Sequence, residues 1–161
     1  MGSRLPDRDV ARRVRQADIR AVPDGAELAS RLKTAALLLL GEAQSAFGDD
    51  LLEEQETVAA ISDMISASFI AESMWIRVEK LRGRNHSAAD LAEDAARFYT
   101  ESSLHDAQRG TDMVLAHLPG EDYTELTETL NALFTSSRPA DLILLRRRLA
   151  EAVLEKEAYL W

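Results

Sequence analysis

The groups best suited to chemistry in this 161-residue chain are its three histidines and twenty-eight carboxylates. A di-iron or di-manganese centre in a helical bundle needs two Glu-x-x-His pairs plus two further Glu, so that imidazole and carboxylate leave one helix face together. The histidines are His86, His105 and His117, and the residues three before them are Gly83, Ser102 and Val114. No such pair exists. Glu101 and His105 stand four apart and can meet on one helix face, which reads as a surface contact. Glu72 sits between Ile70-Ala71 and Met74-Trp75, which points to a buried structural carboxylate paired with a cation such as Arg97 or Arg109. Arg146-Arg147-Arg148 has the charge to grip a phosphate, but three consecutive helical residues project in three directions, so a solvated face is expected. The chain shows no Ser-His-Asp arrangement, glycine-rich phosphate loop or dinucleotide fingerprint. It has no Cys, which excludes disulfides, thiol nucleophiles and thiolate metal sites. Catalytic, cofactor-binding and metal-ligating roles are therefore assigned to no residue. Trp75 and Trp161 are expected to anchor packing or an interface.

The elements that would carry these residues all read as helices. From Asp50 to Arg82 there is no Gly or Pro, and Leu51, Val58, Ile61, Ile65, Phe69 and Ile76 recur at mostly helical steps, with Met64, Ala71, Trp75 and Val78 widening the stripe. This stretch is expected to be the central rod, opened by an Asp50/Glu53 capping box and stopped by Gly83. Before it, Leu28, Leu32, Ala35, Leu39, Ala43 and Ala46 predict a helix over 26–47, with Gly48 as a left-handed stop. Ser87 is expected to cap a third helix over 88–118, along a weaker stripe from Leu91 through Phe98, Ser102 and His105 to Met113. Asp122 and Glu125 suit a capping box at the start of a short helix to 134, with Leu126, Leu130 and Leu133 inward. A last helix, over 140–159, carries Leu142, Leu145 and Leu149. No stretch alternates as a strand does. The expectation is an all-α fold, an up-and-down bundle of four long helices plus a short helix over 26–161, with a partly ordered N-terminal arm or linker over 1–25.

Composition narrows the function classes. The chain is 46% hydrophobic and 29% charged, which suits a folded domain, and its net charge of −9 opposes binding to nucleic acid or anionic lipid. The charge is uneven: residues 1–20 hold six Arg and three Asp, a net +3. Polar, Arg-rich sequence after Met1-Gly2-Ser3 does not read as a secretory signal, and Leu37 to Leu40 is too short a run to span a bilayer. A soluble cytoplasmic protein is expected.

The run Lys33 to Phe47, then Gly48, Leu52-Glu53-Glu54-Gln55-Glu56 and Ile70-Ala71-Glu72-Ser73, resembles a C-terminal domain of acyl-CoA dehydrogenases, of the very-long-chain type and its bacterial counterparts. Tyr99 to Ser102, Leu144-Leu145-Arg146 and Ala150-Glu151-Ala152-Val153 leading to Tyr159 agree with it, so the resemblance covers 26–161. It implies a noncatalytic helical module of a flavin-dependent enzyme of fatty-acid β-oxidation, serving subunit packing and positioning. Its partners would be the catalytic portion of the dehydrogenase, a second copy in a homodimer, or both. FAD is then expected in the parent enzyme and not in this segment, and no catalytic residue is carried over. Two other readings stand beside it. One is a freestanding helical adaptor. The other is a membrane-surface module, suggested by Leu37 to Leu40 and Leu160-Trp161 but opposed by the charge.

Overall fold

The computed structural model describes residues 25–120, 122–135 and 140–156. They form five α-helices and no strand: α1 Gly25–Phe47, α2 Gln55–Gly83, α3 Ala89–His117, α4 Thr124–Phe134 and α5 Leu142–Lys156, with a 3₁₀ turn at Gly48–Glu53. The expected arm over 1–25 lies almost wholly outside the described residues. Long helices joined by short turns run antiparallel. Lys33 on α1 accordingly meets Glu72 on α2, and Arg148 on α5 meets Asp94 on α3. The described residues make an up-and-down bundle of long helices with one short one.

The first helix follows its sequence pattern. Leu28, Leu32, Ala35, Leu39 and Ala43 are all buried, and each fully buried Leu contributes about 1.5–3 kcal/mol. Gly48 takes φ +58°, the left-handed conformation that ends α1 cheaply when no Cβ is present. The next junction differs from expectation. Asp50 and Glu53 lie in the 3₁₀ turn, which carries Leu51 into the core, and the rod begins at Gln55 without a side-chain cap.

The rod buries only one edge of the broad stripe read in the sequence. Thr57, Ile61, Met64, Ser68, Ala71 and Val78 are its buried positions, whereas Ile65, Phe69 and Ile76 face outward. Beside Ile61, Met64 and Val78 the buried edge takes small residues, because a tightly packed helix pair needs short side chains where its backbones approach. Small hydroxyls can be buried there when they bond their own helix: Ser68 Oγ donates to the Ile65 carbonyl at 2.7 Å.

The element touching all the other helices is α3 rather than the rod. Its buried stripe runs Ala92, Ala96, Thr100, Ser103, Leu104, Ala107, Thr111 and Val114, about a quarter turn from the one read in the sequence. Thr100 Oγ1 donates to the Ala96 carbonyl at 2.8 Å and accepts from the Trp75 indole N–H at 3.1 Å, so its burial leaves no unmet hydrogen bond. Ser87 does not cap this helix; the His86 ring Nδ1 instead accepts from the Ala88 amide at 3.1 Å. Asn85, at φ +50°, makes the turn after α2. Asp122 and Glu125 do not form the expected capping box: α4 starts after Tyr123 without a side-chain cap, and Asp122 accepts from the Thr124 amide, while Asp141 accepts from Ile143 and Leu144 to open α5. The short α4 turns Leu130 and Leu133 inward.

Candidate docking surfaces

Glu72 is at the surface of the α1/α2 pair. Its side chain is about one-third exposed and its cation is Lys33, at 2.5 Å, not Arg97 or Arg109. The two charges cancel beside the exposed apolar residues of this face. Antiparallel packing sets Leu37 of α1 level with Ile65 and Phe69 of α2, and these are 58%, 42% and 69% exposed. The rod's most conspicuous hydrophobic residues thus form an unpartnered outward stripe.

Trp75 is half-buried between α2 and α3. It packs on Val78, Ala92 and Ala96 with Met74 and Leu81, and its indole is fixed by Thr100. An added Cβ at Gly25 would fall 1.6 Å from its ring, so α1 starts with glycine where the chain crosses the indole. Its contacts are those of a packing anchor within the bundle. Trp161 lies outside the described residues.

The carboxylate that the fold does bury is Glu101, 4% exposed on α3. Burial pushes its pKa above the ordinary value, opposed by Arg97, by His105 and by the Ala140 backbone amide that donates to it. The pairing with His105 read in the sequence is therefore secondary to burial under the start of α5. Asp94 is likewise raised by burial, against the pull of Arg148, whose guanidinium lies 2.9 Å away. Arg146 covers the Phe98 ring at 5.4 Å. These contacts seat α5 on α3, with Leu145 inward and Ile143 and Leu154 exposed. Of the Arg146-Arg147-Arg148 run, two side chains serve packing. At the other end of the bundle, His117 meets Glu54 at 2.8 Å and stacks on Phe47.

On the face of the α2/α3 pair away from α1 runs an open groove of about 760 Å³. Its floor includes Ala60, Met64, Ala107 and Gly110, and its rim carries Glu56, Asp63 and Asp106. FAD does not fit here. A pyrophosphate needs cations or convergent amides, whereas this rim is acidic and its one cation, Arg109, is paired with Asp106. Among the described residues no buried side-chain nitrogen or oxygen lacks a partner, and no group of three or more His, Asp or Glu converges on a metal position. No described helix is long and apolar enough to cross a membrane.

These features define a helical module: an antiparallel bundle with a closed apolar core that still leaves Leu37, Ile65, Phe69 and Ile76 exposed on its surface. A family model described as the acyl-CoA dehydrogenase C-terminal domain matches residues 31–131, well over half the chain, and the chain belongs to that family. Its fold is similar to part of a crystal structure of an acyl-CoA dehydrogenase complexed with FAD from Bacillus anthracis, with a TM-score of 0.81 and 21% sequence identity. The match covers 96% of this chain and 27% of that one, so this chain spans about a quarter of its neighbour's length. No curated protein matches the chain.

Sequence reasoning missed Glu101 as the buried carboxylate and Lys33 as the partner of Glu72. For Glu101 a signal existed, since Arg97 and His105 stand one turn to either side of it. For Lys33 there was none, because the pairing depends on the register between two helices.

Proposed function

We propose that this chain acts as a noncatalytic packing and positioning module of a flavin-dependent acyl-CoA dehydrogenase of fatty-acid β-oxidation, in the cytoplasm. The observation that carries the reading is the outward α1/α2 stripe of Leu37, Ile65 and Phe69 on a chain of this family. Exposed apolar surface of this kind marks a protein contact, and Lys33–Glu72 keeps the face neutral on a chain of net charge −9. The occupant of this face is the catalytic portion of the enzyme, which would hold FAD and the substrate; this chain supplies neither ligand nor base. The test begins with an immunoblot of source cells. A band far above 17.9 kDa places the bundle in a longer polypeptide, and that polypeptide, once purified, must carry flavin and oxidise an acyl-CoA. If the band runs at the chain's own mass, the immobilised chain must retain a flavin-containing acyl-CoA dehydrogenase. A band at 17.9 kDa together with no retained flavoprotein refutes the proposal in favour of a freestanding adaptor.

A further inference from the structure

Carboxylates outnumber cations in this chain, 28 to 19, and many cations have taken one as partner. Arg31 pairs with Glu27, Lys33 with Glu72, Arg82 with Glu93, Arg109 with Asp106 and Arg148 with Asp94. Arg77, Lys80 and Arg84 have no hydrogen bond or ion pair to a carboxylate among the described residues. Arg77 and Lys80 stand three apart near the end of α2, on one side of the helix, and Arg84 is the residue that follows it. With Ser73, Ile76 and Leu81 they line a hollow of about 240 Å³.

A helix C-terminus favours cations in its last turn, which accounts for Lys80 but not for Arg77, nearly two turns back. Three like charges around one hollow repel one another, and Glu79 leaves the helix about 100° or more away from both Arg77 and Lys80. Scarcity of acids does not explain the arrangement either, since Arg82 on the same turn has Glu93. Two guanidinium forks and an ammonium around one hollow suit a tetrahedral oxyanion, which accepts several charge-assisted hydrogen bonds at once. The exposed flank of Ile76 and the Leu81 side chain offer an apolar surface to whatever the anion is attached to.

We infer that this hollow binds a phosphomonoester, with the phosphate held by Arg77, Lys80 and Arg84 and the attached group resting on Ile76 and Leu81. The site uses residues of this chain alone, so its test is independent of the parent-enzyme reading. The shared chemistry has two sources, a soluble nucleotide or a lipid headgroup, and two arms separate them. In the first, the isotope-labelled full chain is titrated with inorganic phosphate, adenosine 3′-monophosphate and adenosine while amide resonances are followed. In the second, the chain is floated with phosphatidylcholine vesicles with and without phosphatidic acid.

The expected result is saturable shifts confined to residues 73–84, with adenosine 3′-monophosphate binding tighter than about 1 mM, phosphate more weakly and adenosine not at all. If the headgroup is the source, flotation occurs only with phosphatidic acid. In whichever arm binds, Arg77→Gln and Lys80→Gln each weaken binding about tenfold, an effect of about 1.4 kcal/mol, while Arg147→Gln leaves it unchanged. The three side chains are exposed, so thermal melts of the variants should match the parent chain. Binding in neither arm overturns the inference. So does an equal loss with Arg147→Gln, which would make the attraction general charge.

Discussion

Phe69→Ala separates the docking face from the fold. In the bundle the Phe69 side chain is 69% exposed, so docking can still remove most of it from water. A Phe buries about 150–250 Å² when covered, which puts the area remaining at roughly 100–170 Å² and its value near 3 kcal/mol at about 25 cal/mol/Å². Truncation should weaken the complex with the catalytic portion of the dehydrogenase about a hundredfold, measured by calorimetric titration at constant salt. The isolated bundle should not be destabilised, because the ring supports little inside it, and Ala raises helix propensity by about 0.5 kcal/mol. The signature is lost affinity with an unchanged or slightly raised Tm. Affinity within twofold of the parent chain would remove α1/α2 as the docking face. A fall in Tm of more than a few degrees would mean that α2 turns Phe69 inward, and the packing argument would fail.

Leu32→Ala is the opposite case: Leu32 is fully buried in the main core, so its loss should cost about 3–5 kcal/mol and lower Tm by roughly 10 °C. Asp141→Ala removes the acceptor for the Ile143 and Leu144 amides and should cost about 1 kcal/mol; faster hydrogen exchange confined to α5 would check it. Glu101→Gln tests buried charge. Because burial raises the Glu101 pKa, the folded state holds its proton at pH values where the unfolded chain has released it. That contribution raises stability as pH falls from neutral toward the ordinary Glu range. The Gln variant, whose side-chain oxygen still accepts from Ala140, should be more stable than the parent chain near neutral pH and should gain less on acidification in urea melts. An unchanged pH dependence would mean that Glu101 is hydrated.

The helical content and order are legible in the sequence, since apolar periodicity, Gly48 and Asp122 are local signals that act within a turn or two of chain. For α1 most of the buried face is legible, because Leu28, Leu32 and Leu39 are both bulky and inward, although Leu37 is not inward. For α2 and α3 that coincidence breaks. Beside Ile61, Met64, Leu104 and Val114, the buried positions include Thr57, Ser68, Thr100, Ser103 and Ala107, residues that a hydrophobicity count ranks low. Ile65 and Phe69, which the count favours, are left for a partner.

By itself the sequence determined an all-α chain, its approximate helix boundaries, the absence of thiol chemistry and a resemblance to a dehydrogenase C-terminal domain. Each rests on residue type or on spacing within one element. The tertiary structure decided which part of the α2 and α3 surface is inside, that Lys33 rather than Arg97 or Arg109 answers Glu72, and that Glu101 is the carboxylate enclosed. It also brought Arg77, Lys80 and Arg84 to light as cations without acidic partners. The physical reason is common to all four: pairing and burial depend on the rotation and register of one helix against another, and those are set by close packing of small side chains across a seam that no single segment contains.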